Sequence, residues 1–291
     1  METVNDHPSE LREFLRSRRA KITPREAGVR PQPGARRVPG LRREEVAELA
    51  GVSLDYYVSL ERGRNVTPSE HVLDALARAL RLNDTERDHL LTLARPSSTR
   101  RRALPPQRVR PGLRRVLDSM IDIPAIVIGR RRDVLASNRL ARALLTDFDA
   151  LPPRDRNMAR FVFLDESARD LYVDWEQAGR GTVAVLRRYA GRFPHDPRLA
   201  ELIGELSLRD QDFRRWWAEH DVYHHAYGSK RLHHPLVGPM TLDYEALTVT
   251  DDPEQTFALH TAEPGSTSEE ALRLLASWIN TPTTQTTNDD N

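Results

Sequence analysis

The segment EEVAELAGVSLDYYVSLERGRN, residues 44–65, restricts the possible folds more than any other part of the chain. It places the small residue Ala47 four positions before Gly51, with helix-forming sequence on both sides. Two helices that cross at about 90–120° through a short turn need a small residue where their axes come closest. The turn needs a residue with positive φ, which glycine adopts at low cost. The pattern therefore predicts a pair of crossed helices, although any αα-hairpin would also fit it.

The second helix of this pair, predicted over residues 54–62, has a distinct outer face. Apolar residues of the pair fall on inward positions: Val46, Ala50, Val52, Tyr57 and Leu60. The outward positions of the second helix carry Leu54, Asp55, Val58, Ser59 and Arg62. Ser53 stands where its side chain can cap this helix. We interpret the pair as a helix-turn-helix, with residues 54–62 as its recognition helix.

Three more helices are predicted in the first 95 residues. Apolar residues at helical spacing indicate them in PSELREFLRSRRAKI, TPSEHVLDALARALRL and NDTERDHLLTLA. Residues 96–111 are rich in Pro, Ser and Arg and are interpreted as a linker, whose arginines either contact phosphate groups or are solvated. The sequence thus predicts an all-α domain of five helices over residues 1–95.

The two halves of the chain differ in charge. Residues 1–110 contain 22 Lys/Arg and 15 Asp/Glu, which gives a net charge of +7, whereas residues 111–291 have a net charge of −6. A basic module joined to an acidic one predicts that only the first module meets a polyanion. The alternative is a drift of composition without function, and the charges alone leave both possibilities open.

The sequence LRREEVAELAGVS…SLERGR in residues 41–64 resembles the Cro/repressor-type, or xenobiotic-response-element (XRE), helix-turn-helix family. The resemblance implies that the outer face of residues 54–62 enters the major groove of duplex DNA. It also implies a homodimer on an operator. Four arginines are implied to bind phosphates or base edges: Arg42, Arg43, Arg62 and Arg64.

The outward residues depart from the family, which often has Gln, Thr, Ser or Arg at these positions. Leu54 and Val58 can only contact a thymine methyl group, and Asp55 can accept a hydrogen bond from cytosine N4. Tyr56 is expected to contact the DNA backbone. The sequence therefore does not predict the operator.

Residues 112–280 differ from the first 95 residues because their sequence indicates strands as well as helices. PAIVIGRRRDVLASN indicates a β-hairpin, residues 157–222 indicate helices, and the segment from residue 230 onward indicates strands. TSEEALRLLASWI is predicted as a last helix, capped by Ser268. The pattern predicts an α+β domain with an antiparallel sheet and inserted helices, and residues 281–291 are predicted to be a disordered tail.

This second region resembles the ligand-binding domain of MmyB-like transcription regulators. The segments that carry the resemblance are IDIPAIVIGRRRDVLASNRLARAL, FRRWWAEHDV and KRLHHPLVGPMTLDYEAL. The resemblance implies a PAS-like fold whose cavity holds a small, largely apolar molecule, for example a fatty acid. No other cofactor is expected.

The candidate ligand contacts are Asn138, Arg187, Arg188, Trp216, Trp217, His220 and Tyr244. Each has a structural alternative. Asn138 is also placed to cap a helix, and the adjacent Trp216 and Trp217 face different sides of a helix, so one of them belongs to a core. Arg187 and Arg188 either anchor a carboxylate or are solvated or paired.

The histidines raise the question of a metal site. His220 and His224 stand four residues apart, a spacing that suits two metal ligands on a helix. His225, His233, His234 and Asp221 lie nearby in sequence, but no H-E-x-x-H motif is present. We expect no metal, and we expect a backbone group to satisfy His234.

Enzyme motifs are missing from the sequence. The chain has no cysteine, which excludes thiol nucleophiles, disulfides and thiolate metal sites. It has no G-x-S-x-G, G-x-G-x-x-G or P-loop motif and no apolar run of about 18 residues. We therefore expect a cytoplasmic, ligand-responsive transcription regulator that is not an enzyme. The alternatives are a regulator whose second domain is a protein-interaction or dimerisation platform, and an enzyme with a DNA-binding appendage.

Overall fold

The computed structural model describes residues 7–29, 38–63, 68–94, 105–221 and 226–280. These residues divide into two compact units. Unit 1 contains the described residues of 1–104 and 183–224, and unit 2 contains those of 105–182 and 225–291. The predicted domain boundaries, 1–95, 96–111, 112–280 and 281–291, stay a prediction, and residues 281–291 lie outside the described residues.

Unit 1 is helical, and its first five helices follow the predicted order. They are α1 (His7–Lys21), α2 (Arg43–Ala50), α3 (Leu54–Glu61), α4 (Glu70–Ala79) and α5 (Asp84–Ala94). Their inward stripes form one core, in which Phe14, Val46, Tyr57 and Leu76 are fully buried. Ser69 caps α4 as its position before the apolar stripe suggests, because its Oγ accepts a hydrogen bond from the Val72 backbone N–H at 3.4 Å.

Three further helices contribute to unit 1. α10 (Trp175–Arg192) belongs to unit 1 from Val183 onward, and α11 (Pro197–Arg209) and α12 (Gln211–Ala218) follow it. The helical region predicted over residues 157–222 is interrupted at 193–196, as the Pro and Gly content of that segment suggests. It is also broken at residues 165, 172–174 and 210, where the sequence gives no comparable signal.

Unit 2 is built on a five-stranded antiparallel sheet with the strand order β2-β1-β5-β4-β3. The strands are β1 (Ala125–Ile128), β2 (Val134–Ser137), β3 (Tyr227–His234), β4 (Gly238–Val249) and β5 (Asp252–Thr261). Its helices are α6 (Pro111–Ser119), α7 (Arg139–Leu144), α8 (Met158–Leu164), α9 (Glu166–Leu171), the start of α10, and α13 (Thr267–Asn280). The predicted fold class, a helical helix-turn-helix region followed by an α+β domain, is confirmed.

The two faces of this sheet differ. One face packs its apolar side chains with α6, around Leu117, Val127 and Phe257. The opposite face, which we call the Tyr244 face, carries Ile126, Lys230, Leu242, Tyr244, Ala258 and His260. These residues share a face because directly paired residues, and residues two apart on one strand, point to the same side of a sheet.

Two details of unit 2 correct the predictions. Ser268 does not cap α13, because the helix begins at Thr267 and the Ser268 Oγ instead accepts a hydrogen bond from the Thr241 N–H at 2.9 Å. Ser266 takes the cap position, and its Oγ accepts from the Glu269 N–H at 3.2 Å. Strand β3 begins at Tyr227, three residues before the predicted strand region, because YGSKRLHH pairs with β4 over its whole length.

Among the described residues, no helix combines the length and the apolarity that a membrane span requires.

Candidate functional site

The turn between α2 and α3 has the geometry that the sequence predicts. Gly51 adopts φ 66° and ψ 32°, a left-handed conformation that glycine tolerates best. The Val52 N–H donates to the Ala47 carbonyl at 3.0 Å and the Gly51 N–H donates to the Glu48 carbonyl at 3.1 Å, so the end of α2 is closed. Ala47 is buried. The predicted pair of helices and its short turn are thus confirmed.

The recognition helix, α3, presents a mixed outer face. Its N-terminus is capped by Ser53, whose Oγ accepts from the Tyr56 N–H at 3.2 Å. Leu54, Asp55 and Arg62 are exposed, whereas Tyr56, Val58 and Ser59 are partly buried. The face therefore offers an apolar group, a carboxylate and a guanidinium at its exposed positions.

A buried carboxylate that the sequence analysis missed holds α1, α2 and α3 together. Glu61 is 2% exposed, and its Oε1 accepts from Arg19 Nη2 at 2.8 Å. Its Oε2 accepts from Arg43 Nε at 3.1 Å. Burial alone would lower the pKa of Arg19, but the hydrogen bond and charge of Glu61 outweigh it, so that pKa is raised. The only sequence signal was an acidic residue in the last turn of a helix, where the helix dipole disfavours one.

The four arginines expected at the DNA have different surroundings. Arg43 is bound to Glu61, with its side chain 44% exposed. Arg42 precedes α2, and its backbone N–H donates to Glu45 Oε2 at 2.6 Å. Its own side chain lies 3.8 Å from Glu44 Oε1. Arg62 is exposed, and Arg64 lies outside the described residues.

Three of the expected ligand contacts lie together in unit 1. The Arg187 side chain is fully buried, and its Nη1 donates to Glu10 Oε2 at 3.2 Å and lies 2.8 Å from His220 Nδ1. Its Nη2 donates to the Trp217 carbonyl, and its guanidinium lies 4.1 Å from the centre of the Trp217 ring. Burial lowers the pKa of Arg187 to about 10, and burial followed by the charge of Arg187 lowers the pKa of His220 to about 3.

Each of the two arginines and two tryptophans was expected to be either a ligand contact or a structural residue, and their surroundings distinguish these alternatives. Arg187 is paired inside the protein. Arg188 is partly exposed, and burial followed by the nearby charge of Arg192 lowers its pKa. Trp216 is 2% exposed and belongs to the core, whereas Trp217 is partly buried and stacks on Phe213 at 5.7 Å between ring centres. One of the two tryptophans is thus a core residue, as expected, and a ligand contact of the other stays a prediction.

Asn138 and Tyr244 lie in unit 2. Asn138 caps α7, as the structural alternative proposed, since its Oδ1 accepts from the Ala141 N–H at 2.8 Å and from the Ala125 N–H at 3.1 Å. Its Nδ2 donates to two backbone carbonyls, each at 2.7 Å, so all four of its hydrogen-bonding positions are used. Tyr244 is partly buried on the Tyr244 face, and burial raises its pKa.

The histidines do not assemble a metal site within the part of the chain that is described. No group of three His, Cys, Asp or Glu side chains is arranged there to hold a metal ion. His224 and His225 lie outside that part. His234 is structural as predicted, because its Nε2 lies 2.9 Å from the Ala143 carbonyl and its Nδ1 accepts from the Leu236 N–H at 3.3 Å.

Two protein-family models match the chain. The model of the MmyB-like transcription regulator ligand binding domain matches residues 109–275. The chain belongs to the MmyB-like transcription regulator family. A helix-turn-helix domain model matches residues 10–90 of this MmyB-like regulator, which include α2, the Gly51 turn and α3. No curated protein matches the chain at a significant level.

Proposed function

We propose that this MmyB-like regulator binds duplex DNA sequence-specifically through α3 and changes its DNA affinity when a small molecule binds to unit 2. The helix-turn-helix match and the ligand-binding-domain match support the two halves of this proposal. Their combination in one chain favours a one-component regulator over an enzyme, and we infer that it acts in the cytoplasm.

The observation that carries the DNA half is the exposed face of α3 beside a closed turn. Gly51 and Ser53 fix where α3 begins, and the buried Glu61 anchors its end. A recognition helix with a fixed start and end can place Leu54, Asp55 and Arg62 in the major groove. We infer that two copies of the chain bind two half-sites about one helical turn apart, as such domains commonly do.

The ligand half is supported by the composition of the Tyr244 face. Apolar Ile126, Leu242 and Ala258 lie on it beside the polar Tyr244 and His260. Apolar walls with few polar groups are the usual composition of a small-molecule site. We propose an amphiphile with an apolar body and one polar end, with a long-chain acid as the leading class.

The DNA half is tested by selecting binding sites from a random duplex pool with the purified full-length protein. Fluorescence anisotropy then measures affinity for the selected site. We expect binding that weakens steeply with salt and a preference over bulk DNA of at least about 10³-fold. The double variant Arg62→Glu/Arg64→Glu is expected to lose the selected site.

The matched control is Arg114→Glu/Arg115→Glu on α6, two exposed positions that receive the same change of charge. This control is expected to keep sequence-specific binding. Equal losses in the two double variants would mean that net charge rather than α3 determines binding. Gly51→Val is expected to abolish binding as well, because a β-branched residue with positive φ is a steric outlier.

A further inference from the structure

Among the described residues, two cations on or beside the Tyr244 face have no acidic partner. The chain contains only two lysines among its 44 basic residues, Lys21 and Lys230. Lys21 is paired with Asp221. Lys230 and Arg132, by contrast, are not exposed, and among the described residues neither forms an ion pair with a carboxylate.

Lys230 lies between two phenol rings. Its Nζ is 4.7 Å from the centre of the Tyr244 ring and 5.7 Å from that of Tyr172, which follows α9. Burial lowers the pKa of Lys230 to about 8, and the charge of Arg132 acts in the same direction. The aromatic faces favour a cation, but they do not neutralise it.

Arg132 is the one member of the Arg130–Arg132 turn that lacks a carboxylate in the described structure. Arg130 is paired with Glu254, and Arg131 is paired with Asp133 at 2.8 Å. Arg132 adopts φ 68°, and its buried Nε has no hydrogen-bond partner among the described atoms. Burial lowers its pKa, and the nearby phenols of Tyr172 and Tyr244 act in the opposite direction.

Two described titratable groups at this site, Tyr172 and His260, are neutral at physiological pH. Burial raises the pKa of Tyr172 to about 12, so its phenol keeps its proton. Burial, followed by the charge of Lys230, lowers the pKa of His260 to about 3, so its imidazole is uncharged. Two desolvated cations beside neutral groups are costly unless an anion compensates them. The site therefore has the charge and the hydrogen-bond donors that an anionic group requires.

We propose that Arg132 and Lys230 bind the carboxylate of the ligand, with Tyr172 and Tyr244 beside it as phenol donors. This assignment rests on the proposed function, in which unit 2 binds an amphiphilic acid, and places the acid end at the edge of the sheet formed by β3. Gly228 belongs to the same arrangement, because a Cβ at that position would lie 3.1 Å from the Tyr244 Oη. The apolar body of the ligand then lies along Ile126, Leu242 and Ala258.

The scarcity of lysine makes a direct test possible. Full-length protein with ¹³C at the lysine ε-carbon gives two side-chain NMR signals, and Lys230→Met identifies one of them. Decanoate is the probe, and decanol is the matched neutral ligand. We expect decanoate, but not decanol, to shift the Lys230 signal and to raise its titration midpoint, while the Lys21 signal stays in place.

Calorimetry of the same ligands measures the contribution of each cation. Lys230→Met and Arg132→Met are each expected to weaken decanoate binding by about 10-fold or more, the usual size of a charge-assisted contact, and to leave decanol binding unchanged. The controls are Arg231→Met and Arg131→Gln, which remove neighbouring cations that already have partners in Asp174 and Asp133. They are expected to keep the decanoate affinity of the wild type.

The results of these experiments distinguish a failure of the proposed carboxylate site from a failure of the proposed ligand response. Equal affinity for decanoate and decanol, an unmoved Lys230 signal, or full decanoate affinity in both Met variants would each overturn the carboxylate site. Absence of decanoate binding in the folded wild type would overturn it as well. If decanoate binds through Lys230 but leaves operator affinity unchanged, the carboxylate site is supported and the ligand response fails.

Discussion

The two units differ in how their buried and partly buried cations are compensated. In unit 1, Arg19 is paired with the buried Glu61, and Arg187 is bound to Glu10. In unit 2, Arg132 and Lys230 face phenols and a neutral histidine instead of carboxylates. The first arrangement joins helices that are distant in sequence. The second leaves positive charge without a carboxylate partner among the described residues.

This difference distinguishes cations that stabilise the fold from cations that are available to bind a ligand. A compensated buried cation stabilises one packing of the chain, because removal of its partner leaves an unpaired charge. An uncompensated cation costs stability, and such costs cluster at functional sites. The comparison therefore predicts that loss of a charged group lowers the stability of the protein when the group belongs to unit 1. In unit 2, the same loss should leave stability equal or raise it.

The largest effect is expected for Glu61→Gln. The substitution leaves Arg19 without its carboxylate in a buried site, and losses of this kind cost about 3–5 kcal/mol. Urea unfolding followed by circular dichroism measures the free energy of unfolding, and operator binding should fall with it. Glu44→Gln is the control, because the Glu44 side chain is 57% exposed and its ion pair is a weak surface contact. Equal stability of the two variants would refute the anchoring role of Glu61.

The next largest effect is expected for Arg187→Met, at about 2–3 kcal/mol of destabilisation, because hydrogen bonds to charged groups are lost. The loss is smaller than for Glu61→Gln since the Glu10 side chain retains 11% exposure and can be hydrated. Arg188→Met, at a partly exposed position, is the control. If Arg187→Met left stability intact and weakened decanoate binding, Arg187 would be a ligand contact, as the sequence first suggested.

These two sites also mark the limit of prediction from the sequence. The helix pair around Gly51 was predictable because caps and turns depend on residues within five positions of each other. Glu61 was not, since its partners Arg19 and Arg43 lie 42 and 18 residues away. Arg187 and Glu10 are 177 residues apart, so no local pattern distinguishes a paired arginine from one that awaits a ligand.

Sequence reasoning likewise passed over Lys230 in favour of Arg187, Arg188 and His220. Lys230 is the first residue of the region that was predicted to form strands, but the sequence did not show on which face of the sheet its side chain lies. Its rarity in an arginine-rich chain was visible, but rarity alone does not indicate burial. The pairing of β3 with β4 supplies the missing information.

A smaller effect of opposite sign is expected for Lys230→Met in the absence of ligand. The substitution removes an uncompensated charge and keeps a side chain of similar length, so stability should stay equal or rise by up to about 1 kcal/mol. Thermal unfolding of the wild type and the variant without added ligand measures it. A loss of several kcal/mol would show that Lys230 is a structural cation like Arg187, and the contrast between the units would disappear.

The smallest expected effect is a pH dependence of the free energy of unfolding that is caused by the titration of Lys230. Burial lowers its pKa in the folded protein to about 8, from 10.5 for a free side chain. Between these values the unfolded chain binds more protons than the folded one, so the free energy of unfolding attributable to Lys230 rises with pH. Below about pH 8 both states are protonated, and the cost of the buried charge is constant.

The difference in unfolding free energy between the wild type and Lys230→Met, measured from pH 7 to 9.5, isolates this contribution because the other groups titrate in both proteins. Without ligand, the wild type should gain stability relative to the variant as pH rises above 8. Saturating decanoate should remove that gain, because a bound carboxylate stabilises the protonated amine and decanoate affinity then falls over the same range. A pH-independent difference would contradict the burial of Lys230. A gain that persists unchanged with decanoate would place the acid end of the ligand elsewhere.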